Sequence, residues 1–334
     1  MPNPAETFHR IMIKLNLGRF PMSLPNARSE IRPAGPWHPG EVAIQAHVGV
    51  AGRMAELGPR VIRDHLIDQH RAFYAHLPFV VLGTVDPAGE AWATVRTGAP
   101  GFLDAPDAEH LRVRAAPLPD DPAEAGLADG AAIGLLGIDL ATRRRNRLNG
   151  TVACHRPEGF AIRVAQSFGN CPQYIRVRTA PEPVPAAPVA AQVSDHLDAR
   201  ARALIEGAET MFVASYAVGT DGTRQVDVSH RGGPAGFVRV GSDGVLTVPD
   251  YSGNRFFNTL GNMLANPRAG LLVIDFASGD LLQMTGRPTV ILDAPDCADF
   301  PGAERLWRFA PRTVIRRPGA WPLRFAAPAT ARSR

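Results

Sequence analysis

The chain has 334 residues, 45% hydrophobic and 20% charged, with a formal net charge of +4. That length accommodates about two ordinary domains, and the absence of any apolar run of about 18 residues excludes a membrane-crossing helix. Lys14 is the only lysine. A Walker-type lysine is therefore excluded, and any bound phosphate must be held by arginine forks, backbone N–H groups and hydroxyls. Acidic residues interspersed among the arginines argue against a nucleic-acid surface.

In chain order, residues 1–55 read as a leader, largely irregular. It carries His9, Arg10, Lys14 and Arg19 without the apolar core of a secretory signal, so a cytoplasmic location is expected. Within it, Trp37-His38-Pro39-Gly40-Glu41 has no evident role beyond packing. Ile62, Leu66, Phe73 and Leu77 fall near helical spacing ahead of Pro78. Short strands are predicted at 79–86, 91–97, 110–115, 131–140 and 145–153. Residues 180–193 form a Pro-rich extended linker. Ser194 is a candidate N-cap for a helix bearing Leu197, Ala201, Leu204 and Ile205. Further strands are predicted at 211–218, 224–230, 237–240, 245–248, 269–276 and 281–291. Trp307, Arg308, Phe309 and Trp321 are expected to close a barrel end, with a frayed tail at 328–334. Close, short strands without βαβ alternation point to a barrel or sandwich rather than a Rossmann fold.

The chain also repeats itself. GLLGIDLAT at 134–142 faces GLLVIDFAS at 270–278, and Leu148-Asn149-Gly150 faces Met284-Thr285-Gly286 at the same spacing. Thr94–Phe102 resembles Asp227–Phe237, and Phe79 pairs with Phe212. The reading is two copies, 56–179 and 194–327, packed as a pseudo-dimer within the chain, with a homodimer of chains left open.

The copies differ where chemistry is expected. The second contains Asp250-Tyr251-Ser252-Gly253-Asn254-Arg255, read as the N-terminus of a helix that Asp250 or Ser252 caps and Asn266-Pro267 ends. Free N–H groups at such a start, with Ser252 and Arg255, make a phosphate cradle. The corresponding stretch of the first copy, 116–126, is acidic and Pro-rich, so one ligand per chain is expected. Where the second copy has Leu281, Leu282 and Gln283, the first has Arg145, Asn146 and Arg147, which suits contact with an anion across the interface.

The passages DVSHRGGPAGFVRV, LTVPDYSGNRFFNTLGNMLANPRAGLLVIDF and RRRNRLNG with SFGNCPQYI resemble the pyridoxamine 5'-phosphate oxidase-related, FMN-binding split-barrel family, in particular its two-barrel members, over roughly residues 37–325. The resemblance implies a mainly β fold of tandem split β-barrels with flanking helices, and FMN bound between them. It implies a flavin role for Asp227, Val228 and Ser229 and phosphate contact by Asn254 and Arg255, with Tyr251 and Ser252 close by. Contact across the barrels by Arg145, Arg147 or Asn149 is also expected. Hydride or electron transfer through the flavin follows, with a small-molecule substrate and a separate NAD(P)H-dependent reductase as partners. The missing lysine partner for phosphate and the missing C-terminal substrate segment argue against pyridoxamine phosphate as substrate. A non-enzymatic flavin-binding or redox-sensing module, a deazaflavin, or a haem ligated by His155, His230 or Cys154 are the alternatives on the same fold. His230 and Tyr251 are candidate proton carriers. No metal site is expected, and Cys171 reads as a small residue at a turn.

Overall fold

The computed structural model describes residues 35–178, 181–185 and 189–326. Three helices lead in: α1 (Pro39–His47), α2 (Ala51–Val61) and α3 (Asp68–Ala75). The expectation of irregular structure through residue 55 is thus corrected for its described part. His38 caps α1 reciprocally with Glu41, and Pro39 suits the first helical turn. Ile62 lies at the C-cap of α2 and Leu66 in the following turn, so the helical spacing seen from Ile62 to Leu77 spans two elements.

Strands β1 (Phe79–Val85), β2 (Ala91–Thr97), β3 (Leu103–Asp104), β4 (His110–Val113), β5 (Ala132–Asp139), β6 (Arg144–Arg156) and β7 (Gly159–Asn170) form one antiparallel sheet, with a 3₁₀ turn at Pro122–Gly126 before β5. Two short strands follow, β8 (Glu182–Pro183) and β9 (Gln192–Ser194), then α4 (Ala199–Gly207). Asp198, not Ser194, caps α4, because Ser194 is committed to pairing with the last long strand. The second sheet holds β10 (Thr210–Val218), β11 (Arg224–Gly232), β12 (Arg239–Val240), β13 (Leu246–Tyr251), β14 (Ala269–Ile274), β15 (Leu281–Ile291) and β16 (Ala303–Arg317). Helix α5 (Asn258–Ala265) sits between β13 and β14, and β17 (Leu323–Arg324) pairs with β8.

The two sheets run β2-β1-β5-β6-β7-β4-β3 and β11-β10-β14-β15-β16-β13-β12. These are the same order, strand for strand, so the protein is a tandem of split β-barrels with flanking helices. Even a register shift recurs, at Asn149/Gly150 and Thr285/Gly286, which is how a bulge is kept at the same bend of both sheets. Both β7 and β16 escaped the sequence reading. In β16 the alternation is broken by charged residues, as in Ala303-Glu304-Arg305 and Arg312-Thr313. Trp307 and Phe309, expected at a barrel end, lie in the second core, and Trp321 stacks with Phe325 between the barrels.

Alternation along the central strands explains how the barrels meet. Val80 and Leu82 of β1 fill the first barrel, while Phe79 and Val81 turn to a core shared with the second. Met211 and Val213 of β10 fill the second barrel, and Phe212 and Ala214 join the same shared core. Every β1 residue is therefore buried. The interface is reciprocal: Gly134 of β5 lies against the Asp227 backbone of β11, and Gly270 of β14, its counterpart, lies against Ala91 of β2. A Cβ at position 270 would overlap the Ala91 carbonyl oxygen. Gly270→Ala is accordingly expected to cost about 1–3 kcal/mol through overpacking, read as a lower midpoint in chemical denaturation. Among the described residues, no helix is long and apolar enough to cross a membrane.

Candidate anion site between the barrels

Strand β11 carries Asp227, Ser229 and Arg231 at alternate positions. Ser229 Oγ accepts a hydrogen bond from Thr259 Oγ1 of α5 at 2.8 Å, and Arg231 pairs with Asp250 of β13. From the first barrel, β6 delivers two arginines. Arg147 donates from Nη1 to both Asp227 oxygens, at 2.9 and 3.1 Å, and lies 3.3 Å from Asn258 Oδ1. Arg145 donates through Nε to the Cys171 carbonyl at 2.9 Å and through Nη1 to His230 Nδ1 at 3.0 Å. From β16, Arg305 reaches Asp250 at 2.5 Å, and Glu304 binds Arg305 at 2.8 Å and Arg255 at 2.6 Å.

These groups line one cavity with Tyr174, Tyr251, Ser252 and Asn254. Five guanidinium groups (Arg145, Arg147, Arg231, Arg255, Arg305) face three carboxylates (Asp227, Asp250, Glu304), leaving an excess of positive charge under cover. Burial, and then the repulsion of Arg147 and Arg231, push Arg145 down to about 9. Burial and the same arginines hold His230 well below the usual histidine range, so its ring is neutral. With Nδ1 accepting from Arg145, the ring proton sits on Nε2, which is buried without a partner. Arg147 Nε and Arg231 Nε are buried and unpaired as well. A cluster of buried orphan donors with surplus positive charge is complementary to an anion.

The backbone adds a second signal. Six non-glycine residues among those described have positive φ, and three of them line this cavity: Tyr174 (67°), Arg255 (64°) and Phe257 (61°). Such conformations cost on the order of 1 kcal/mol each and collect at ligand sites. They also correct the expected helix start. Asn254 Oδ1 accepts from Phe256 N at 3.1 Å, a local turn, and Phe257 in the left-handed region delays α5 until Asn258. The N-terminal donors are therefore those of Asn258 and Thr259, not of Gly253–Arg255. The ring of Tyr174 stacks on Tyr251 across the cavity, centroids 5.1 Å apart.

Six of the residues expected from sequence line the cavity: Arg145, Arg147, Tyr251, Ser252, Asn254 and Arg255. Asp227 and Ser229 stand one step behind it, holding Arg147 and Thr259. Val228 belongs to the shared core, and Asn149 meets the Gln166 amide at 3.1 Å instead. Arg231, Asp250, Arg305 and Tyr174 were not singled out for the site. Arg231 stood in the quoted DVSHRGG, but Arg305 lies on the strand that the sequence hid. Cys154 is exposed and His155 packs against Phe160, so neither lines the cavity. No group of three or more His, Cys, Asp or Glu suited to a metal occurs among the described residues.

The counterpart position, related by the repeat, is filled by the chain itself. Gln283 stands where Arg147 does and donates to Asp121 Oδ1 at 3.1 Å. Thr94, the equivalent of Asp227, donates to Asp121 Oδ2 at 2.5 Å, and Arg96 donates to the same oxygen at 3.1 Å. Arg317 donates to Gln283 Oε1 at 3.1 Å. Asp121 is fully buried, and Arg96 and Arg317 are 1% and 2% exposed. An internal carboxylate thus occupies the first barrel's half of the symmetry.

Residues 197–318 match the family model described as pyridoxamine 5'-phosphate oxidase. Over that stretch the second barrel is similar to the pyridoxamine 5'-phosphate oxidase family. The match covers the barrel that supplies most of the arginine cavity, and the shared strand order extends the fold to the first. No curated protein matches the chain. Several solved structures align with one barrel's length of it. The heme storage protein HutZ from Vibrio cholerae is 12% identical, with 37% of this chain and 97% of that chain covered and a TM-score of 0.26. A FAD-binding protein from Mesorhizobium loti is 16% identical, covering 38% and 98%, at 0.25. A pyridoxinephosphate oxidase family protein from Clostridium acetobutylicum is 12% identical, covering 38% and 92%, at 0.25. These likenesses decide neither ligand nor reaction.

Proposed function

We propose that the cavity between the barrels holds the phosphate of an FMN-type flavin, one per chain, and that the protein is an FMN-dependent oxidoreductase. The observation that carries the reading is the buried excess of arginines with orphan donors on Arg147, Arg231 and His230. The family match of the second barrel supports a flavin over other phosphate esters. The cavity encloses about 90 Å³ of water-sized space. That suits a phosphate group and falls below the ~300–1,000 Å³ of whole-cofactor pockets. Seating a ring therefore requires the lining to part, the Tyr174–Tyr251 stack included.

In this reading Arg231, Arg255 and Ser252 hold the phosphate from the second barrel, and Arg145 and Arg147 close on it from the first. A bound flavin would supply the hydride or electron transfer. His230 acts as a fixed donor through Nε2 rather than a titrating base, because its lowered basicity keeps it neutral. Burial raises Tyr251, which keeps its hydroxyl protonated and donating. The sealing of the counterpart by Asp121 gives the stoichiometry of one. A small-molecule substrate and a separate NAD(P)H-dependent reductase complete the proposal.

The test is the visible absorption spectrum of the purified protein, with chromatography of the cofactor released on denaturation. FMN near one per chain supports the reading; a colourless protein that takes up no added FMN overturns it. Asn254→Ala with Arg255→Ala is expected to leave less than about a tenth of the flavin bound, from loss of a charge-assisted contact and its turn. The fold should persist, because Glu304 keeps its bond to Arg305. The ratio of visible to protein absorbance reads the outcome.

A further inference from the structure

The run Trp37–Glu41, expected only to pack, meets a segment that lines the anion cavity. The Trp37 indole donates from Nε1 to the Met54 carbonyl at 2.9 Å, and its ring packs on Phe256 with centroids 5.0 Å apart. Gly40 meets Gly261 of α5 backbone to backbone: a Cβ on Gly40 would overlap the Gly261 carbonyl oxygen. Glu41 Oε2 accepts from His38 N at 2.8 Å, and Glu41 Oε1 accepts from Asn258 Nδ2. One turn on, Gln45 Nε2 donates to the Phe256 carbonyl at 3.2 Å. Phe256, Asn258 and Gly261 bracket the positive-φ residue Phe257 and the start of α5, where Asn258 and Thr259 line the cavity.

We infer that α1 is a clamp on the anion cavity and that Glu41 is the positioning residue coupling its grip to ligand affinity. The inference rests on the phosphate reading above. A turn with two left-handed residues relaxes unless its surroundings over-determine it, and here the surroundings are α1. Asn258 passes the constraint on, since its Oδ1 lies 3.3 Å from Arg147.

Glu41 is 3% exposed. The polar and charged groups facing it are His38 on its own helix, Asn258 on α5, Asp227 on β11 and Arg147 on β6. Burial pushes its carboxyl up to about 8, helped by Asp227 and opposed by the hydrogen bonds from His38 and Asn258 and by Arg147. A carboxyl released from the protein titrates near 4.5. The docked state therefore has its full advantage below about 4.5 and loses it as pH rises through about 8. Above that, charge accumulates beside Asp227, α1 loosens, and the turn it holds is freed.

The experiment is an FMN fluorescence titration of the full chain between pH 7 and 9, with hydrogen exchange protection of α5 measured in parallel. In the wild type, FMN affinity and α5 protection are expected to fall together, affinity by roughly tenfold. Glu41→Gln keeps the side chain's size and cannot ionise, so its profile should be markedly flatter. The comparison with Glu41→Gln removes any pH dependence that arises elsewhere in the cavity. Gly261→Ala, whose Cβ would sit 2.7 Å from Glu41 N, should weaken FMN and α5 protection at every pH. A flat wild-type profile, or an unchanged fall in Glu41→Gln, overturns the inference. If α5 protection follows pH only in the wild type while no FMN binds at any pH, the clamp stands and the phosphate reading falls.

Discussion

Asp121→Ala is expected to remove about 3–5 kcal/mol of folding stability while leaving FMN uptake per folded chain unchanged. The carboxylate is fully buried and answers Arg96, Thr94 and Gln283 at once. Taking it away leaves the Arg96 guanidinium, 1% exposed, with the half-buried Glu124 as its remaining carboxylate partner and Arg317 beside it, and breaking a buried ion pair is among the costliest single changes. Chemical denaturation measures the stability, and flavin content of the folded fraction measures the rest. Equal loss of flavin would mean that the first barrel's half also takes ligand, and the reading of one site per chain would fail.

Arg145→Met should do the opposite, raising stability and lowering affinity. Arg145 is deeply buried and repelled by Arg147 and Arg231, and among its hydrogen-bond partners are only the neutral ring of His230 and backbone carbonyls. Replacing an ill-matched buried charge with an apolar side chain of similar length is often stabilising, here on the order of 1 kcal/mol. The phosphate would lose a charge-assisted donor worth roughly 1.5–3 kcal/mol, a tenfold to hundredfold weaker Kd. A thermal melt without flavin and an FMN titration settle the two signs. Loss of stability with unchanged affinity would make Arg145 a structural residue.

How much of this was legible depends on distance along the chain. The tandem was readable because the GLLGIDLAT and GLLVIDFAS strands must face two cores at once, and that double burial leaves an apolar string that repeats. At the matched positions Arg147 and Gln283, both side chains reach the other barrel, Arg147 to Asp227 and Gln283 to Asp121. What stayed hidden was set by partners far away in sequence. Asp250 was read as a helix cap because its true partners, Arg231 and Arg305, lie 19 and 55 residues off. Helix α5 was started too early because nothing local reveals that Phe257 takes a positive φ; α1, over 200 residues upstream, holds the turn. Val228 and Asn149 were assigned to the ligand by resemblance, whereas β-strand alternation and the Gln166 amide claim them.

Covalent linkage of the two barrels changes what a single mutation can do. In a symmetric pair of identical subunits, every substitution appears twice, so an aspartate that plugs one cleft plugs both and the protein loses its ligand. Joined in one chain, the halves are inherited together but vary separately. Asp121 can then sit among Arg96 and Thr94 as a permanent counterion while the arginines around Arg231 stay open for an external one. The reciprocal glycines, Gly134 and Gly270, keep the two-fold contact between the barrels, so sealing one half leaves the geometry of the other intact.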